Sequence, residues 1–385
     1  MTAVYPASGT WDSVTKTRVQ ALAAFRFTER QARFLVTVMV HAGCFLERQY
    51  CTFTGTVRGH NSREFIGRLV ARGFIRVIEP GSVRRGRLYH VHHKPLYEAI
   101  AQADNRNRRL HSLGRMVERV MILDALLDDR RCWWLSPADD KLQFFSQMRD
   151  NRLQREDYPH IAFGTGRQRT IRCFPDKLPI GIEKDSMEHL VFVYLVNRRV
   201  PVDFRQFLLR HLGVLRLVHR WTLRLLVPRR FRTAVALYKA AVREELWTPM
   251  NPSVSRSLET YFADCHARGA HVGDPDDPYL RREFTRQGSA KIQALYRAWR
   301  VRGNRVLWDA PSTVLADDRT HGCARVEVVM LDRQYLQLTP AMDRDAWARR
   351  GAKRKSRQVG PPVSEASPSP LSPLESHADG ASANA

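Results

Sequence analysis

The sequence predicts an α+β / α/β chain, with a small N-terminal unit of two helices closed by a two-stranded ribbon and then a larger unit built on a mixed sheet. Three observations carry that expectation. Apolar residues recur at three- and four-residue intervals in two windows between Thr28 and Gly73. Two β-rich runs flank a glycine-bracketed basic turn from Pro80 to Arg87. From Cys132 onward, short β-rich runs first cluster and then alternate with amphipathic helices.

Taken in order, the first helix opens at Thr28, an N-cap residue type, and its apolar face is Ala32, Leu35, Val36, Met39 and Val40 before Gly43 stops it. An aromatic-rich connection from Phe45 to Phe53 follows. Asn61 with Glu64 three residues on forms a capping box, so the second helix begins there and runs to Gly73. Phe65, Ile66, Leu69 and Val70 make its buried stripe, which leaves Ser62, Arg63, Gly67, Arg68 and Arg72 on the other faces. Phe74–Ile78 and Leu88–His92 read as strands, and the loop between them carries Arg84, Arg85 and Arg87. This is the order of a winged helix-turn-helix, a fold that sets one helix into the DNA major groove. It makes Ser62, Arg63, Arg68 and Arg72 the groove-facing candidates, with Arg84, Arg85 and Arg87 reaching the flanking backbone. The alternative is a winged helix that contacts only proteins, an adaptor whose arginines are solvated.

Charge favours the nucleic-acid reading. The 385 residues carry a formal net charge of +24, and residues 1–115 hold 19 Lys plus Arg against 7 Asp plus Glu. Such an excess draws an anionic polymer through counterion release. Only nine of the 63 basic residues are lysine, and the guanidinium fork suits phosphate and guanine, although a GC-rich genome encodes the same bias. Six cysteines without a CxxC pair suggest reduced thiols rather than a zinc module or disulfide framework. No apolar run approaches the roughly 20 residues that a membrane helix needs, so no membrane partner and a cytoplasmic location are expected.

Length and composition suggest a division into a winged helix at 14–103, a helical connector at 104–130, an α/β module at 131–248, an α+β region at 249–345 and a tail at 346–385. In the connector, Pro95–Ala103 and Arg106–Leu127 read as helices. The second is either a homodimer contact through residues 106–127 or a helix that folds back on the N-terminal unit. The triplet His90, His92 and His93 reads as strand histidines rather than metal ligands, since no acid or cysteine lies near in sequence.

In the α/β module, strands are expected at Cys132–Leu135, Thr170–Phe174, Leu178–Ile182, His189–Val196 and Trp221–Val227. Helices are expected at Pro137–Gln147, Val202–Leu215 and Arg229–Leu246. Farther on, Ser255–Ala267 and Leu280–Val301 read as helices, and Arg305–Trp308, Ala324–Leu331 and Tyr335–Leu338 as strands. The tail joins a basic cluster, Arg349 to Arg357, to a Pro/Ser/Ala stretch of disordered type.

One constellation could carry chemistry. Asp176 and Glu183, with Lys184 beside the second acid, sit at predicted strand ends, where two carboxylates and a lysine could hold Mg²⁺ and an attacking water as in PD-(D/E)xK nucleases. That pattern places its lysine two residues after the second acid, where this chain has Asp185 after Glu183 and Leu190 after Glu188. A degenerate, binding-only version of the restriction-endonuclease-like fold is favoured over a working nuclease, and plain turn acids remain the bland alternative. No cofactor is expected unless the nuclease alternative holds.

Phe27-Thr28-Glu29-Arg30-Gln31, Arg72-Gly73-Phe74-Ile75, and Pro175-Asp176 followed by Ile182-Glu183-Lys184-Asp185 resemble landmarks of the replication-relaxation family of bacterial plasmids and integrative elements. The resemblance spans Thr28 to Leu246. It implies a winged helix joined to a nuclease-like domain, in a mobile-element protein that acts on double-stranded DNA alongside replication or transfer proteins.

Overall fold

The computed structural model describes residues 9–78, 87–148, 155, 158–163, 170–176, 178–248, 250–268, 272, 288–309, 314–333 and 335. All of them fall in one compact unit, residues 1–342. The predicted Arg84, Arg85 and Tyr335–Leu338 strand are therefore outside the described residues, apart from Tyr335 itself, and so is the tail.

The N-terminal part runs α1 (Gly9–Ala21), a 3₁₀ turn (Leu22–Phe25), α2 (Glu29–His41), β1 (Cys44–Leu46), α3 (Glu47–Thr54), α4 (His60–Ala71), β2 (Ile75–Ile78), β3 (Leu88–Val91) and α5 (Lys94–Ala99). The expected capping of α2 is present: Gln31 N–H donates to Thr28 Oγ1 at 3.3 Å, and Thr28 N–H donates to Gln31 Oε1 at 3.2 Å. Such a cap contributes about 1 kcal/mol. Gly43 ends the helix at φ +71°, where an added Cβ would lie 2.3 Å from the Asn107 carbonyl oxygen.

Four expectations need correction here. The segment after Gly43 is not a bare connection: Cys44–Leu46 pairs antiparallel with β3, and Glu47–Thr54 is a helix, so the sheet has three strands in the order β1-β3-β2. α4 starts from Gly59, whose N–H donates to Ser62 Oγ at 3.1 Å, rather than from Asn61. Val70, assigned to the buried stripe, is 40% exposed, whereas Ser62 is 1% exposed. Both follow from the true phase of the helix, whose inner face is Ser62, Phe65, Ile66 and Leu69.

The larger part begins with α6 (Leu113–Asp128), preceded by a 3₁₀ turn at Arg106–Arg108 instead of the continuous helix expected from Arg106. The break is made by Asn107, a buried residue whose Nδ2 donates to the Met39 and Val40 carbonyls at 2.9 and 3.0 Å. Then come β4 (Cys132–Leu135), α7 (Ala138–Gln147), β5 (His160–Phe163), β6 (Thr170–Cys173), β7 (Ile180–Glu183), β8 (His189–Leu195), α8 (Val202–Leu217) and β9 (Arg220–Pro228). A 3₁₀ turn (Arg229–Ala234), α9 (Val235–Val242) and a π turn (Arg243–Trp247) lead to α10 (Pro252–Arg268), α11 (Gly288–Arg302), α12 (Arg305–Asp309), α13 (Val314–Thr320) and β10 (Ala324–Leu331). Arg305–Trp308 is thus helical, not a strand: Gly303 turns at φ +67°, and Val306 and Leu307 point into the core from a short helix.

The mixed sheet has the order β10-β9-β8-β7-β4, with β8, β9 and β10 parallel and β7 and β4 antiparallel. Strand periodicity explains how it is covered. Leu190, Phe192 and Tyr194 of β8 join the cluster formed with α7, α8 and α9, while Val191, Val193 and Leu195 face α6. That second cluster also takes Leu46 and Leu88 of the three-stranded sheet. The apolar side of α6 is therefore spent inside the chain, between the two sheets.

Candidate nucleic-acid interface

At about 100° per residue, the exposed side of α4 has His60, Glu64, Gly67 and Ala71 along its middle, Arg63 on one rim and Arg68 on the other. Nothing lies within 4 Å of the place where a Gly67 Cβ would be. The C-terminal half of the middle, at Gly67 and Ala71, is therefore low, and the flanks of the face are cationic. Arg63 is exposed, and Arg68 is paired only loosely, 3.8 Å from Glu64. Glu64 is the one acid on this face, and His60 lies 3.9 Å from it.

The predicted contact residues do not all share this surface. Ser62 faces inward: its Oγ donates to Glu47 Oε1 at 2.8 Å, and Arg58 Nε holds the other oxygen of Glu47 at 2.6 Å. This trio ties the start of α3 to the start of α4 and fixes the angle at which α4 is presented. Sequence spacing misplaced Ser62 because the helix is capped two residues earlier, at Gly59, than its capping pattern suggests, which puts Ser62 in phase with Phe65, Ile66 and Leu69. Arg72 is exposed yet committed, since its Nη1 donates to the Phe25 carbonyl at 2.7 Å and its guanidinium lies 4.5 Å over the Phe74 ring. Arg87 is exposed at the start of β3.

Sequence reasoning missed Arg26. It follows the 3₁₀ turn at φ +59°, an uncommon backbone conformation for a long side chain, with its N–H on the Ala23 carbonyl at 2.9 Å. The available signal was an arginine between two aromatic residues, Phe25 and Phe27.

The histidine triplet is structural on its buried member. His90 is 1% exposed, donates from Nε2 to the Asn107 carbonyl at 3.0 Å and accepts from Arg76 Nε at 3.3 Å. Burial, together with the Arg76 charge, lowers its pKa to about 4, so it is neutral near pH 7. Among the described residues, no group of three or more His, Cys, Asp or Glu could hold a metal ion.

The proposed acid pair is separated. Glu183 ends β7 beside His189, the first residue of β8, and the 2.8 Å contact is to His189 Nδ1. Asp176 precedes β7 and borders a cavity with Tyr194, Leu195 and Arg210, at the other end of β8. His189 and Tyr194 are five residues apart on that strand, about 17 Å at about 3.4 Å per residue. The structure does not bring Asp176 and Glu183 together. Each acid has its own cation or donor: Arg210 Nη2 is 3.1 Å from Asp176, and Lys184 points elsewhere, donating to the Arg130 carbonyl at 2.6 Å.

Around Glu183 the geometry has another possibility that sequence reasoning missed. His189 Nε2 lies 2.8 Å from Thr222 Oγ1, giving a Thr-His-Glu relay like those that activate hydroxyl nucleophiles. Thr222 is 1% exposed and accepts from Arg325 Nε at 2.8 Å, so its hydroxyl is shielded from a substrate. We read the relay as a brace across β8, β9 and β10.

What the described residues define is a mixed α/β protein, with helices on both faces of a mixed five-stranded sheet. Comparison with protein-family models, curated proteins and solved structures finds no match to the chain. No helix among the described residues is long and apolar enough to cross a membrane.

Proposed function

We propose that the protein binds double-stranded DNA through α4, as a winged helix-turn-helix does, in the bacterial cytoplasm and in the replication, transfer or regulation of a mobile element. The observation that carries this reading is the exposed face of α4, with Gly67 and Ala71 low in its middle and Arg63 and Arg68 on its rims. A major groove admits a helix whose central residues are small, and the rim guanidiniums then meet the phosphates on either side. The succession α2, β1, α3, α4, β2, β3 with the strand order β1-β3-β2 supports the winged-helix assignment. The mobile-element setting rests on the family resemblance. The sheet of the larger part is compatible with a nuclease-like fold in which the catalytic acids are not assembled, so the winged part is read as the functional end and the sheet as its support.

Glu64 would repel phosphate from this face, yet it is placed to accept a hydrogen bond from a cytosine amino group, so it serves sequence choice at the expense of non-specific affinity. Fluorescence anisotropy of the full chain on duplex DNA across a salt series tests the reading. Binding should survive chelation of divalent ions, and Arg63→Ala/Arg68→Ala should weaken it and flatten its dependence on log salt by about two counterions' worth. Binding that ignores both salt and the double substitution would leave the α4 reading without support.

A further inference from the structure

Between the C-terminal half of α4 and the turn into α2 lies a cavity of about 370 Å³, lined by Arg26, Phe27, Phe65, Arg68, Leu69 and Arg72. That volume is within the roughly 300–1,000 Å³ of small-ligand sites. The cavity sets the exposed Arg26 and Arg68 beside the half-buried ring of Phe27, its other apolar residues, Phe65 and Leu69, being only 1% exposed, and this pairing of cations with one ring makes a demand that a duplex does not meet. Backbone phosphates would satisfy the arginines, but the bases of a duplex are stacked inside it and offer no face to Phe27. A nucleotide out of the stack offers both, a phosphate for the guanidiniums and a flat aromatic face for Phe27.

We infer that this cavity holds one unpaired nucleotide, so that the protein recognises a junction between duplex and single-stranded DNA. The inference rests on the duplex reading for its setting, because Arg68 belongs both to the rim of the α4 face and to the cavity. The cavity is largely formed before any ligand arrives. Arg72 is oriented by the Phe25 carbonyl and the Phe74 ring, and Phe27 and Phe65 stand edge to face at 6.4 Å and 78°. Arg26 is carried to the mouth by the left-handed turn at φ +59°, and no ion-pair partner for its side chain occurs among the described residues. Phosphate from an entering nucleotide supplies that partner.

The test compares full-length protein on a blunt duplex, on the same duplex with a short overhang carrying 2-aminopurine at the first unpaired position, and on the overhang strand alone. Wild type should bind the overhang probe roughly tenfold tighter than the blunt one, the factor that about 1.4 kcal/mol of stacking supplies, and 2-aminopurine emission should change on binding. Phe27→Leu keeps an apolar side chain and removes the ring; Arg26→Gln removes the charge at an exposed position. Both should abolish the preference while leaving blunt-duplex affinity as in wild type. If Phe27→Leu fails to fold, Arg26→Gln decides. Equal affinity for blunt and overhang probes, or a preference untouched by Arg26→Gln, overturns the inference while the duplex reading stands. Arg26-dependent binding of the strand alone, without any binding of the blunt duplex, upholds the cavity and removes the duplex reading.

Discussion

Asp124 shows how much one side chain can organise. It lies on α6, 2% exposed, and receives both Arg48 Nη atoms at 2.7 and 2.6 Å, Gln49 Nε2 at 2.9 Å, Arg333 Nη1 at 3.1 Å and the Tyr335 hydroxyl. α3, α6 and the segment after β10 therefore meet on one carboxylate. Asp124→Ala should lower the free energy of unfolding by about 3 kcal/mol, the lower end for a broken buried pair because Arg48 and Arg333 can rehydrate; urea denaturation measures it. The signal in the sequence was an acid four residues after Val120, on the apolar face of a helix.

Two histidines set a pH dependence at the same scale. Burial, aided by nearby cations, lowers the pKa of His41 to about 3, and burial does the same for His211. Their unfolded value is near 6.5, so between pH 6.5 and about 3 the unfolded chain binds the protons that the folded one refuses. Stability is complete above about pH 6.5 and falls as pH drops, at up to about 1.4 kcal/mol per pH unit for each histidine. His211→Gln should shrink the difference in unfolding free energy between pH 7 and pH 5, relative to wild type. An unchanged difference would show that His211 does not carry this pH dependence.

Among the elements, glycines separate fold from function. Gly43→Ala would drive a Cβ to 2.3 Å from the Asn107 backbone in a left-handed position, so it should cost about 2 kcal/mol or more, read as a lower melting temperature. Gly67→Ala meets open space in the middle of α4 and should stabilise the helix by about 0.5–1 kcal/mol. On the proposed reading the same change raises the low middle of the face and weakens duplex binding. More stable protein with unchanged DNA affinity would count against α4 as the groove-facing element. Glu64→Gln should act in the opposite sense, tightening binding to random duplexes while reducing discrimination between sequences.

Much of this level was legible in the sequence. The boundaries of α2, β8, α8 and β10 fall within a few residues of those expected from periodicity and caps, because each carries a continuous pattern of its own. Arg305–Asp309 was not, since its β-rich composition reflects burial of Val306 and Leu307 rather than strand pairing. Nor was β1, only three residues long, which exists because β3 offers it an edge.

Over the whole molecule, α6 is the joint. Its residues face the three-stranded sheet through Leu46 and Leu88 and the five-stranded sheet through Val191, Val193 and Leu226. The two sheets thus share one apolar cluster, and unfolding of the described residues should be a single cooperative event with coincident transitions by tryptophan fluorescence and far-ultraviolet circular dichroism. Two separated transitions would show that the α6 cluster does not couple the parts.

By itself, the sequence determined the helical periods, the cap at Thr28, the excess of arginine and most strands of the mixed sheet, because these depend on local pattern and composition. Only the tertiary structure decided that Ser62 turns inward to Glu47, that Arg26 joins Arg68 and Arg72 around two phenylalanines, and that Asp176 and Glu183 lie toward opposite ends of β8. Such outcomes depend on which strand and helix ends meet in space, and residues far apart along the chain carry no shared period from which that meeting could be read.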